Sequence, residues 1–154
     1  MNCRIKFNEM KNVGNFGLDD KNKLPKEILE NVESEIFYSK FFKQWKNNRG
    51  YINQLSKKNS RKNNTCILFI HGGGFNSFSP IKYQSLTYTL CFYTDLTIYA
   101  PDYNIEKEYH YPKMVNNLYN FADNYLSEMY KYIYIIGDSA GGTLGLNMIT
   151  KDIK

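Results

Sequence analysis

No stretch of the sequence stays apolar for the roughly eighteen residues that a membrane-crossing helix needs. Residues 1–10 carry charges where a signal peptide would have its apolar centre. A cytoplasmic protein with no membrane span is therefore the expectation. Cysteine is scarce too. Cys3, Cys66 and Cys91 make an odd number with no metal-ligand spacing, which argues against a disulfide framework and against a zinc site. Cys66 and Cys91 lie in apolar patterns and read as reduced core residues. Histidine is scarcer still, with His71 and His110 alone. No internal repeat is visible. The net charge of +5 and pI near 9.0 lack the clustering of a nucleic-acid surface, because the lysines are dispersed among asparagines. The one dense group, Lys57-Lys58-Asn59-Ser60-Arg61-Lys62, falls in a loop-like stretch and reads as a solvated basic linker, so no nucleic-acid partner is expected.

What is present is a core. A hydrophobic fraction of 42% and an aromatic fraction of 16% exclude disorder throughout, and 154 residues suffice for one domain. Residues 1–64 are the least informative and are expected to form an N-terminal helical, cap-like segment and linker. Pro25 opens a helix with Ile28, Leu29 and Val32, and Ile36, Phe37, Phe41 and Trp45 continue its spacing. Gly50-Tyr51-Ile52 starts a short strand, and the polar stretch from Ser56 to Asn64 is a loop. Residues 65–154 alternate differently. Thr65-Cys66-Ile67-Leu68-Phe69-Ile70 reads as a buried strand, and Ser79-Pro80 caps a helix with Tyr83, Leu86 and Leu90 on one face. Leu96-Thr97-Ile98-Tyr99-Ala100 is a second strand. A helix opened by Pro112 follows, with Val115, Leu118, Tyr119, Ala122, Leu126 and Met129 at spacings of three and four. Tyr132-Ile133-Tyr134-Ile135-Ile136 is a third strand, expected to be buried on both faces, and a helix with Leu144 and Met148 succeeds it. Such alternation predicts an α/β fold, a mostly parallel sheet with flanking helices.

Two of these strands run into glycine-rich turns. His71-Gly72-Gly73-Gly74 follows the first, and consecutive glycines there let backbone N–H groups turn inward, as stabilisation of a developing oxyanion requires. A merely flexible turn is the blander alternative. Gly137-Asp138-Ser139-Ala140-Gly141-Gly142 follows the last strand. Gly137, Ser139 and Gly141 fit the G-x-S-x-G elbow, a sharp strand-to-helix turn that lifts a strained serine above the sheet. A Cβ at either flanking glycine would collide with a neighbouring element.

These motifs, with the Asp102-Tyr103 turn and Pro112 beyond it, occur in the order seen in hormone-sensitive-lipase-like esterases, and residues 65–154 resemble that family of the α/β-hydrolase fold. The resemblance implies hydrolysis of carboxylic esters, short acyl or small lipid esters, through an acyl-enzyme on Ser139. It implies an oxyanion hole from the N–H groups of Gly73, Gly74 and Ala140, with Gly72 shaping the turn. His71, Asp138, Gly137 and Gly141 would support the motifs without serving as base or acid. No metal and no organic cofactor is implied. Amide hydrolysis or deacetylation would look the same from these motifs.

The sequence also departs from the family. Where the family has Tyr-Arg-Leu-Ala-Pro-Glu, this chain reads Tyr103-Asn104-Ile105-Glu106-Lys107-Glu108, which affects loop packing more than chemistry. The fold's triad order is Ser, then Asp or Glu, then His. After Ser139 there is Asp152 and no histidine, and both histidines precede the serine. A serine without a base is a weak nucleophile. His110 as substitute base is the poorer explanation. The better one is an N-terminal portion of a longer or split esterase, with the later strands absent and Asp and His supplied by further sequence. The third strand would then present an open sheet edge on which a partner strand could pair. The alternative is an inactive relative that binds a small apolar ligand or a protein partner.

Overall fold

The computed structural model describes residues 21–43, 49–61, 63–75, 77–103 and 111–151. Its centre is strand β3 (Thr65–Ile70), whose apolar run is buried on both faces. Cys66, Leu68 and Ile70 point into one cluster, and Ile67 and Phe69 into the other. Period-two alternation thus feeds two cores from one strand. Parallel partners flank it: β4 (Thr97–Pro101) on one side and β5 (Tyr132–Gly137) on the other. β2 (Arg49–Lys57) pairs antiparallel with β4, and β1 (Val32–Lys43) antiparallel with β2, so the five-stranded order is β1-β2-β4-β3-β5.

Helices cover both faces. On one side, α1 (Lys26–Asn31) and α2 (Gln84–Thr94) bury Ile28, Tyr88, Leu90 and Cys91 against Ile67, Phe69 and Ile98. On the other, α3 (Tyr111–Phe121) and α4 (Ala140–Thr150) bury Met114, Val115, Leu118, Phe121, Leu144 and Met148 against Leu68, Ile70 and Tyr99. Cys66 and Cys91 are free and buried, and burial pushes both thiols up to about 12, which makes them inert. Among the described residues, no helix is long and apolar enough to cross a membrane.

Three expectations need correction. The helix begun after Pro25 ends at Asn31, and Ile36, Phe37 and Phe41 lie in β1. From Phe37 to Phe41 burial alternates residue by residue, with Tyr38 exposed between half-buried neighbours. β-branched and aromatic side chains suit that alternation, and pairing with β2 outweighs the helical spacing. Trp45 lies outside the described residues. Secondly, β5 is not buried on both faces. It pairs with β3 alone among the described strands, Tyr132 and Tyr134 are exposed, and Ile133, Ile135 and Ile136 are half-buried. Thirdly, the helix opened at Pro112 does not run to Met129. It gives way to a wide π-type turn over Ala122–Leu126, closed by Ser127 N–H on the Ala122 carbonyl, and Met129 is exposed. Gly50-Tyr51-Ile52 does lie in a strand, longer than foreseen. Ser79 precedes a 3-10 turn (Pro80–Tyr83) ahead of α2 and makes no side-chain cap bond.

Candidate active site

The C-terminal ends of β3 and β5 are neighbours in register, Ile70 opposite Gly137, so the two glycine-rich turns leave the sheet side by side. Asp138 N–H donates to the Ile70 carbonyl at 3.1 Å and ties the turns together. Ser139 then sits at φ +47°, ψ −116°, a conformation non-glycine residues rarely adopt and one that costs on the order of 1–3 kcal/mol. The surroundings over-determine it. Gly141 N–H donates to the Asp138 carbonyl at 2.7 Å, and Thr143 N–H to the Ser139 carbonyl at 3.2 Å. The glycines on either side leave no room for a Cβ: at Gly137 it would stand 2.4 Å from the Gly141 carbonyl oxygen, and at Gly141 2.0 Å from that of Ile70. Ser139 is exposed at the start of α4, where the helix dipole and the Ala140 N–H favour negative charge.

The facing loop is fixed by aromatic side chains. Gly73 and Gly74 have φ of +106° and +60°, so the chain turns where L side chains would be strained. Among the described residues none takes up the N–H of Gly73 or Gly74, whereas Gly72 N–H donates to the Tyr83 hydroxyl at 3.1 Å. The Gly72 N–H is thus engaged by a side chain of the protein itself. Phe75, also at positive φ, meets Tyr111 edge-on at 5.3 Å and walls one side of the loop.

His71 is fully buried. Its Nδ1 lies 2.8 Å from the Gly72 carbonyl, which can only accept, so the ring proton sits on Nδ1. Tyr103 stacks on the ring at 4.2 Å and donates its hydroxyl to the His71 carbonyl at 2.6 Å. Asp102 Oδ1 stands 3.9 Å from Nε2, beyond hydrogen-bond range. Burial outweighs the Gly72 bond and holds the imidazole down at about 4, hence neutral at pH 7. The linkage has a definite sign. An unfolded histidine titrates near ~6.5, so between that value and about 4 the unfolded chain binds a proton that the folded one refuses. Stability from this group is complete above ~6.5 and declines as pH falls towards 4, by up to roughly 3 kcal/mol. Urea midpoints at pH 7.5 and 4.5 should differ more in the wild-type protein than in His71→Gln. Equal differences would acquit His71.

The structure therefore brings together Ser139, Ala140, Gly137, Gly141, Asp138, His71, Gly72, Gly73, Gly74 and the Asp102-Tyr103 turn. Asn104 to Glu108, His110 and Asp152 lie outside the described residues. Tyr83 was legible only as an apolar helix residue. Its hydroxyl joins Gly72 to Asp138, whose Oδ2 it reaches at 2.6 Å, a contact across 55 positions that no local pattern signals.

A profile of the steryl acetyl hydrolase family matches residues 6–154. Arylacetamide deacetylase of Rattus norvegicus is 30% identical over 100 residues, covering 58% of this chain and 25% of that protein. The Mus musculus enzyme of the same name is 27% identical over 100 residues, with the same coverage of 58% and 25%. The bacterial heroin esterase matches with a TM-score of 0.65 at 18% identity, over 84% of this chain and 41% of that one. The HSL homologue EstE7 from a metagenome library matches with a TM-score of 0.65 at 26% identity, over 79% and 39%. The shared architecture is the α/β-hydrolase fold. This chain spans 25% of the length of the curated relatives and about two fifths of the solved structures.

Proposed function

The chain belongs to the steryl acetyl hydrolase family, within the hormone-sensitive-lipase-like α/β-hydrolases, and we propose that it carries the nucleophile and the oxyanion-binding loop of a serine ester hydrolase. The observation that carries this reading is the exposed Ser139 at positive φ at the head of α4, locked between two glycines that tolerate no Cβ. Ser139 Oγ attacks the ester carbonyl carbon while a base takes its proton. The tetrahedral oxyanion accepts hydrogen bonds from Gly73, Gly74 and Ala140 N–H, the alcohol leaves with a proton, and water releases the acid. The mechanism calls on no metal and no organic cofactor.

The acyl group is short, and acetyl fits best. The family description and the arylacetamide deacetylase name both specify removal of acetyl groups. The Phe75–Tyr111 wall beside the loop supports an apolar leaving group. The base is not His71, since its ring is buried, stacked and bonded to Gly72 through Nδ1. Base and acid are assigned to polypeptide corresponding to the part of the relatives that these residues do not span. Without a base, oxyanion stabilisation and binding leave only about 10³–10⁴-fold acceleration over water. Membership of a hydrolase family favours turnover over a ligand-binding relic.

Fluorophosphonates react only with activated serines. Labelling of the protein in its native source, followed by trypsin, should place the adduct on the peptide spanning 132–151. That peptide recovered unlabelled from protein shown to be present would end the serine-hydrolase reading.

A further inference from the structure

One side-chain hydroxyl bridges the loop and the elbow. Tyr83 Oη accepts from Gly72 N–H at 3.1 Å and donates to Asp138 Oδ2 at 2.6 Å. Each partner is the immediate neighbour of a reacting group: Gly72 precedes the donor Gly73, and Asp138 precedes the nucleophile Ser139. The tyrosine is held for this task from behind. Its ring packs against Phe69 of β3 at 5.4 Å and Phe78 at 6.4 Å, and the residue is buried. Burial, then the bond to Asp138 and its charge, push the phenol up to about 12, so it keeps the proton it donates.

We infer that Tyr83 is a positioning residue for the hydrolysis proposed above: its hydroxyl sets the separation between the oxyanion donors and Ser139. This rests on the serine-hydrolase reading and goes beyond it. A pin between donor and nucleophile acts where the two must meet the same carbonyl, in the tetrahedral state. It has little to act on in the ground state, where the carbonyl is planar and uncharged. Its loss should therefore lower kcat and leave KM nearly unchanged.

Gly72 offers a second way to break the pin. A Cβ there would stand 2.6 Å from Asp138 Oδ2, the end of an exposed side chain that can swing away, and 2.7 Å from Tyr83 Oη, which is fixed to its packed ring. Its next contact, the Asp138 carbonyl at 3.1 Å, is tight and not prohibitive. Gly72 is not among the glycines at positive φ, so alanine suits its backbone. Gly72→Ala should separate the hydroxyl from the carboxylate while the Tyr83 ring stays packed.

The test compares wild type, Tyr83→Phe, Gly72→Ala and the double variant in the full-length protein. It reads p-nitrophenyl acetate kinetics and inhibition by a trifluoromethyl ketone, which forms a tetrahedral adduct with an active-site serine. Tyr83→Phe should lower kcat by about 10- to 100-fold, below the full loss of an oxyanion donor. KM should stay within about twofold, and ketone affinity should fall in parallel with kcat/KM. The double variant should be no worse than the worse single one, since both remove the same link. Unchanged kcat in Tyr83→Phe, a rise in KM alone, or a fall in kcat with ketone affinity intact would overturn the assignment. If Tyr83→Phe does not fold, the same readings on Gly72→Ala decide it. Wild-type protein without turnover or ketone binding would instead sink the serine-hydrolase reading itself.

Discussion

Ser139→Ala should cost the full-length protein at least about 10⁴-fold in kcat on acetyl esters, while its stability stays within roughly 0.5 kcal/mol of wild type. The two expectations belong together. Ser139 is exposed and sits at φ +47°. Alanine keeps the Cβ and meets the same backbone strain, so nothing in the fold depends on the hydroxyl. On the proposed mechanism the chemistry depends on it entirely, because the covalent intermediate would form on Oγ and no other atom of the elbow could replace it. The elbow glycines and the facing loop remain, so the variant should still bind apolar acetates. Turnover measured beside thermal unfolding decides the matter. Retention of activity within tenfold of wild type, in a folded protein, would remove Ser139 from the mechanism. A parallel Ser139→Gly variant should unfold at higher denaturant than Ser139→Ala, since glycine adopts this backbone without strain.

How far such a site can be read from sequence depends on which interactions are local. The run Thr65-Cys66-Ile67-Leu68-Phe69-Ile70 announces a doubly buried strand, because an unbroken apolar stretch can bury both faces, and β3 does so. Tyr132-Ile133-Tyr134-Ile135-Ile136 has the same pattern, yet its two tyrosines are exposed, since burial depends on which strands lie alongside. Residues 32–43 fail for another reason. Ile36, Phe37 and Phe41 satisfy a helical spacing and a strand equally well, and pairing with β2 decides between them. The turns themselves were legible. His71-Gly72-Gly73-Gly74 and Gly137-Asp138-Ser139-Ala140-Gly141 impose backbone geometries that few other residues allow, and each directly follows a strand pattern, so the local sequence carries them. Their mutual placement was not. It rests on Tyr83, which reads only as part of an apolar helix face, and on Tyr103, which reads only as part of the Asp102-Tyr103 turn; their hydroxyls bond to residues 11, 55 and 32 positions away.

Gly141→Ala should destabilise the protein by about 3 kcal/mol or more, the largest stability loss expected in the elbow. The added Cβ would lie 2.0 Å from the Ile70 carbonyl oxygen and 2.6 Å from that of His71. Both are main-chain atoms at the end of β3, the strand on which the two cores meet, so no side chain can swing aside. Relief requires α4 to move off the sheet by about an ångström, stripping contacts from Leu144 and Met148, both fully or almost fully buried. One residue further on, the balance reverses. At Gly142 the nearest atom to a Cβ is the Gly137 carbonyl oxygen at 3.3 Å. There the clash is slight, and alanine gains up to about 1 kcal/mol over glycine within a helix. Gly142→Ala should therefore unfold within about 1 kcal/mol of wild type. Urea denaturation of the two variants separates close approach from helix propensity. Equal stability of Gly141→Ala and Gly142→Ala would mean that α4 does not rest on β3 as closely as the elbow requires. Where Gly141→Ala folds at all, it should have lost turnover as well, because the movement that accommodates its methyl group carries Ser139 away from the Gly73 and Gly74 N–H groups.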